Sequence, residues 1–257
     1  MIDTKDNWEA FMPFGLRRAV ARRFASAKGL TTNAQLHEGA AQPYFPSIPY
    51  RLVYSGVAEP FFRARAKPPR EESAERTILL VGGIYRPATL GQFLAAVARW
   101  RSRLSLVDQA RLRLHYVGAS NLVVADAIAS TDLSAITQIS PFVPLDQFAG
   151  LVGDSFCAAY LWLPTGFHHK LLELSVAARA VIAFPGEHPE SIRLAQQCDT
   201  PFAVCADGDE LASTLDELWA ASSESANRSA APPWHWDDFA VGLEQFFETI
   251  VADRNDR

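Results

Sequence analysis

From Thr77 to Ala221, short apolar runs of strand length alternate about six times with stretches of helical periodicity. The runs 77–81, 112–117, 135–139, 156–163, 180–184 and 202–205 read as strands, several of them apolar without interruption. Between and after them, residues 90–102, 121–129, 144–152, the stretch carrying Lys170 and Glu173, 191–197 and 209–221 read as helices. Strands apolar on both faces need cover on both faces. Helices alternating with them supply it only if the strands run parallel, joined by right-handed crossovers. The expected fold class is therefore α/β, a doubly wound parallel sheet of about six strands, with a small helical N-terminal segment beside it.

Such a sheet also says where to look for a ligand, because open parallel sheets bind outside the carboxyl ends of their strands. Two strand exits are informative. Pro164-Thr165-Gly166 breaks the apolar run that ends at Leu163, and the helix beyond carries Lys170 and Glu173. Pro185-Gly186 breaks the run ending at Phe184, and Pro189-Glu190-Ser191 opens the next helix. Helix N-termini offer unpaired N–H groups and partial positive charge, which suit phosphate. A carboxylate such as Glu173 only accepts hydrogen bonds, which suits the vicinal hydroxyls of a ribose. Together these parts describe a nucleotide-diphosphate pocket.

Composition excludes several alternatives. A net charge of -5 argues against a general nucleic-acid binder. No apolar run is long enough to span a membrane, and the first residues lack a signal-peptide pattern. Cys157, Cys198 and Cys205 lack metal-ligand spacing and read as buried free thiols in a reducing cytoplasm. His168 and His169 are adjacent with no third ligand nearby, so no metal site is expected. His115 alternates with apolar residues and reads as a satisfied core histidine. Gly82-Gly83 is followed by no glycine until Gly91, which makes a poor dinucleotide fingerprint.

The ends of the chain differ from its middle. Leu16, Val20 and Phe24 recur every four residues with arginines on the other faces, near Trp8, Phe11 and Phe14. That amphipathic helix suits docking on a protein surface or peripheral contact with an anionic membrane. Residues 31–75 show few elements beyond a short strand at 50–54, and 63–72 read as a proline-bearing linker. The expected division is 1–73, 74–222 and 223–257, with 222–233 a second linker. Beyond it, a helix from Trp236 carries Phe239, Leu243, Phe246, Phe247 and Ile250 on one stripe. Its expected partners are the helix at 16–24 and the nearby Phe11 and Phe14.

Several local patterns resemble, in order and spacing, the C-terminal donor-binding half of a GT-B-fold retaining glycosyltransferase of the family 4 type. They are Val81-Gly82-Gly83, His115-Tyr-Val-Gly118, Phe142-Val-Pro-Leu-Asp146, Lys170-Leu-Leu-Glu-Leu174 and the late Trp236-Asp-Asp238. The resemblance covers about residues 77–252. It implies a nucleotide-diphosphate sugar as donor substrate and no separate cofactor. It implies that Glu173 accepts from the ribose, that Lys170 lies near the diphosphate or sugar, and that Glu190 and Ser191 stand where the diphosphate rests. Arg86, just past Gly82 and Gly83, would neutralise phosphate charge. This chain departs from the pattern at Thr165, where the family's first of two glutamates would stand, and at Gly83 and Ala88, where its Arg and Lys would stand. The roughly 73 leading residues resemble the last helix and linker of an acceptor domain. Two readings follow: a hexosyltransferase acting on an unidentified acceptor, incomplete as an isolated chain, or a non-catalytic subunit that binds a nucleotide or a protein supplying the missing domain. No general base can be named among these residues.

Overall fold

A computed structural model describes residues 2–4, 12–66, 75–163, 166–221 and 234–255. The expectations for Trp8, Phe11, Thr165 and the 222–233 linker lie outside the described residues, as does most of the 63–72 linker. The chain divides into two compact units, Ala58–Pro232 and a second made of Met1–Val57 with Pro233–Arg257.

The larger unit is the α/β part. Its strands are β4 (Arg76–Val81), β5 (Leu112–Val117), β6 (Thr137–Ser140), β7 (Cys157–Leu161), β8 (Val181–Phe184) and β9 (Phe202–Val204). They form one six-stranded sheet in the order β6-β5-β4-β7-β8-β9, every pair parallel. In β7 and β8 every residue is buried, as double cover requires. The flanking β6 and β9 are only partly buried.

Two groups of helices supply that cover. The helix α4 (Pro87–Arg103) packs on α6 (Asn121–Ala129) and α10 (Gly208–Ala221). The helix α3 (Glu59–Arg65) packs on α7 (Leu145–Asp154) and α8 (Lys170–Ala177), and α8 on α9 (Pro189–Ala195). The chain winds from β4 outward to β6, then returns across β4 and winds the other way to β9. With right-handed crossovers that reversal puts the two helix groups on opposite faces. The helix α4 begins with a proline at its first position and buries Leu90, Phe93, Leu94, Val97 and Trp100 at three- and four-residue spacing. Trp100 meets Trp219 of α10 edge to face at 5.4 Å and donates to Asp216 at 2.8 Å. The three cysteines are buried and free, and His115 is satisfied by Ser140 Oγ at 2.9 Å.

The α/β unit starts earlier than the sequence suggests. The start of the expected linker is the end of α3, held by buried contacts. Phe61 meets Phe148 edge to face at 5.9 Å, and Arg65 donates to the carbonyls of Val176 and Cys198 at 3.1 and 3.2 Å. Seven residues are too few for periodicity to reveal. A short helix α5 (Leu106–Arg111) between α4 and β5 also went unread for its length.

The smaller unit is not only helical. Its strands β1 (Ile2–Thr4), β2 (Leu30–Thr32) and β3 (Tyr50–Leu52) form a parallel sheet in that order. Helices α1 (Phe14–Arg23), α2 (Gln35–Ala41) and α11 (Trp236–Asn255) accompany them. Strands of three residues leave no alternation to detect. The terminal helix joins the N-terminal segment: Phe246 and Ile250 lie over Gly29 and Trp236 over Gly56, and buried Trp234 sits between Tyr54 and Phe239 at 6.0 and 6.1 Å. Phe239, Leu243, Phe246 and Ile250 of the stripe are half-buried, while Phe247, its fifth member, is exposed. Leu16 and Phe24, the expected partners, remain about half exposed.

Gly118 ends β5 where a β-carbon would lie 2.3 Å from the Gly82 carbonyl oxygen. Gly118→Ala should therefore lower stability by about 1–3 kcal/mol. Gly91→Ala, with nothing within 4 Å on the exposed side of α4, should raise it by about 0.5–1 kcal/mol. Urea unfolding of the two variants checks the contrast.

Candidate functional site

The winding direction reverses between β4 and β7, and at such a reversal a doubly wound sheet opens a crevice beyond the carboxyl ends of the two strands. The β4 exit is rigidly tied. Gly82 takes φ +98, open to glycine but unfavourable for other residues. Its N–H donates to Val117 O at 3.1 Å, its carbonyl accepts from the buried Tyr116 hydroxyl at 2.7 Å, and Ile84 N donates to Ser120 Oγ at 3.0 Å. Gly83 is half-buried, and Tyr85 and Arg86 are exposed. Arg86 caps α4 with extended backbone, its carbonyl accepting from the Thr89 and Leu90 N–H groups at 3.0 and 3.3 Å, and its guanidinium has no hydrogen-bond or ion-pair partner among the described residues.

From that loop a line of contacts runs across β7 to β8. The Tyr85 ring, 76% exposed, meets Trp162 edge to face at 5.8 Å. Trp162 donates to Gly166 O at 2.7 Å, closing the β7 exit loop, and lies 4.5 Å from the His168 ring. His168 stacks on Tyr160 at 4.6 Å and 9°. The Tyr160 hydroxyl donates to Glu187 Oε2 at 2.5 Å, and His188 N–H donates to Glu187 Oε1 at 2.7 Å. Glu187 stands at the β8 exit, two residues before α9.

Burial governs the charges on this line. Glu187 is 4% exposed, and burial pushes its carboxyl up to about 7 against the hydrogen bonds of Tyr160 and His188 and the influence of Ser191. Burial, with Glu187 second, pushes the Tyr160 phenol well above its usual value, so it stays a donor. His168 is brought down to about 3, by burial first and then by Lys170 and His169, so its ring is neutral.

The seven residues singled out from the sequence stand on the loops and helices that leave β4, β7 and β8. Gly82, Gly83 and Arg86 form the β4 exit. Lys170 and Glu173 occupy the first turn of α8. The Lys170 ammonium lies 5.5 Å from the centre of the Phe148 ring. Burial raises the Glu173 carboxyl while Lys170 lowers it. Glu190 and Ser191 are buried, and the entrance to α9 is capped by the chain itself at one N–H: Glu190 N–H donates to His188 Nδ1 at 3.3 Å, and Ile192 N–H begins the helical ladder on His188 O at 3.3 Å. Ser191 Oγ has no partner in hydrogen-bond geometry, yet lies close enough to Glu187 to favour its ionised form. The sequence reading passed over Tyr85, Tyr160, Trp162 and Glu187. The readable signal was Glu187 itself, an acid directly after a buried strand and a Pro-Gly break.

No protein-family model matches the sequence, and no curated protein matches it. Solved structures do match in fold. A glycosyltransferase from Rickettsia africae superposes with a TM-score of 0.71 at 12% identity, over 93% of this chain and 68% of that one. Anabaena HepE in complex with UDP-glucose superposes with 0.67 at 11% identity, over 96% and 72%. The chain has the GT-B glycosyltransferase fold. A Listeria monocytogenes protein assigned as a UDP-N-acetylglucosamine 2-epimerase also superposes, with 0.56 at 12% identity over 95% and 65%. The GT-B fold thus accompanies more than one reaction, and fold alone does not choose among them. The chain spans 65 to 72% of the length of these three proteins.

Glu187 makes a pH-dependent contribution that can be measured. The folded chain holds this proton more tightly than the unfolded chain does. Its stabilising contribution is therefore full below about pH 4.5 and lost as pH rises through about 7. Glu187→Gln does not titrate. Its stability relative to the parent should rise by roughly 2–3 kcal/mol between pH 5 and pH 8. A difference that stays flat in denaturant titrations at both pH values would contradict the assignment.

Proposed function

We propose that the crevice between β4 and β7 binds a nucleotide-diphosphate sugar for glycosyl transfer to an acceptor. The observation that carries this reading is the unbroken line of contacts from the glycine exit of β4, across Trp162 and His168, to the β8 exit, at the position where a doubly wound sheet receives its ligand. HepE, which superposes over nearly the whole chain, is complexed with UDP-glucose.

Within this reading the residues divide the work. Gly82 and Gly83 let the ligand approach the backbone closely. Arg86, exposed and unpaired among the described residues, meets phosphate oxygens with a planar fork of donors. Lys170 adds positive charge from the first turn of α8. Glu173 accepts from the ribose. Tyr85 and Trp162 offer ring faces to a flat or apolar part of the ligand. Glu190 and Ser191, both buried at the start of α9, shape the far wall. Departure of the diphosphate in a transfer would draw on the same Arg86 and Lys170 charges.

One observation favours a second reading, a nucleotide- or partner-binding subunit without transfer. At the α9 entrance His188 Nδ1 already accepts from the Glu190 N–H and the buried Glu187 carboxyl lies beside Ser191, so a helix N-terminus expected to receive phosphate is partly capped from within the chain. Sugar release from a panel of UDP-, GDP-, ADP- and CMP-sugars separates the readings: binding with release supports transfer, and binding without release supports the subunit.

Arg86 gives the direct test of ligand placement. Arg86→Gln should weaken binding of the nucleoside diphosphate by roughly 1.5–3 kcal/mol, the worth of a hydrogen bond to a charged group, and leave binding of the bare nucleoside unchanged. Equal loss for both, measured by calorimetry, would remove Arg86 from the phosphates.

A further inference from the structure

The smaller unit holds a cleft that the nucleotide reading does not use. It measures about 500 Å³ and lies between α1 and the segment after α2, bounded by Arg18, Ala21, Arg22 and Ala25 on one side and residues 43–48 on the other. Its chemistry is specific in sign. Arg18 and Arg22 stand four residues apart on one face of α1, where like charges repel and weaken a helix. No acidic side chain lines the cleft, and neither guanidinium has a hydrogen-bond or ion-pair partner among the described residues. Arg17, on the same helix, is by contrast engaged with Met12 O at 3.1 Å and with the Phe14 ring. The opposite wall brings two prolines, Phe45 and Ile48, with Tyr44 and Ser47 among them. That wall is held in place: the Tyr50 hydroxyl donates to Phe45 O at 2.8 Å, and Phe45 is core.

We infer that this cleft binds a phosphate-bearing ligand, with Arg18 and Arg22 on its oxygens. Two forked guanidinium groups one helical turn apart match the spread of phosphate oxygens better than any neutral group would. Phe14, one turn before Arg18 on the same face, is 81% exposed, so an apolar continuation of the ligand would have a surface to lie on. The ligand is either the headgroup of an anionic lipid or a free phosphate ester, and the two are separable by experiment.

The test uses the full chain in two arms. In the first, flotation with vesicles of phosphatidylglycerol in phosphatidylcholine is compared with phosphatidylcholine alone. In the second, glycerol 3-phosphate is titrated by calorimetry without vesicles. Glutamine keeps good helix propensity, and circular dichroism confirms that each variant retains its helix content. Arg18→Gln and Arg22→Gln should each reduce binding about tenfold. Arg23→Gln removes the same charge outside the cleft and should leave binding unchanged. Binding to the anionic vesicles alone identifies a lipid headgroup, and binding of glycerol 3-phosphate identifies a free ester; either supports the site. Binding in neither arm overturns it. So does a loss for Arg23→Gln equal to that for Arg22→Gln, which would mark diffuse charge attraction instead of a site.

Discussion

The architecture of the larger unit depends on β4 being central. It pairs with β5 on one side and with β7 on the other, both parallel, and the connections from those two neighbours run in opposite directions along the sheet. Everything that positions the candidate site follows. The loops after β4 and β7 must part, which opens a crevice. The loop after β4 must also stay low enough not to fill it. Gly82, at a backbone angle few other residues adopt, and Gly118, beneath whose missing side chain the Gly82 carbonyl lies, meet that second condition. The sheet interior sets the rest, since β7 and β8, buried throughout, present their carboxyl ends at fixed positions.

What fills the crevice floor is less usual than what frames it. A carboxyl beside a region proposed to receive a diphosphate would repel it if fully ionised. Here burial raises the Glu187 carboxyl to about 7, so that it is only partly ionised at neutral pH, and Tyr160 and His188 satisfy both of its oxygens. The neutral His168 ring stacked on Tyr160 continues the same polar but weakly charged floor. Positive charge is left to Arg86 and Lys170 on the rims. In the proposed reading the site is polarised from its edges, and its affinity for an anion should be sensitive to pH near neutrality.

Much of this was readable from residues alone, for reasons that can be named. The strands β4, β7 and β8 are apolar enough to announce buried parallel strands, and α4, α6 and the terminal helix α11 carry stripes at helical spacing. Those elements fixed the class of fold and the edge of the sheet where a ligand belongs. The elements that escaped, β1, β2, α2, α3 and α5, are three to seven residues long, too short for either period to repeat. Their positions come from tertiary contacts such as Phe61 on Phe148. The site was legible in part for the same reason. Gly82, Arg86, Lys170 and Glu173 flank strand exits and could be found by locating those exits. The pairing of Tyr160 with Glu187 spans two strands, and the Tyr85–Trp162 contact spans the crevice. Neither leaves a local pattern.

The account stands or falls on where a nucleotide sugar lands. Amide chemical-shift mapping of the labelled chain, titrated with UDP-, GDP-, ADP- and CMP-sugars, reports this position by position. The account predicts that the sugar nucleotide that binds will perturb three segments together: Gly82–Arg86 at the β4 exit, Trp162 with Gly166–Glu173 at the β7 exit, and Gly186–Ser191 at the β8 exit. Perturbations confined to other parts of the chain, or none with any of the four, would contradict it.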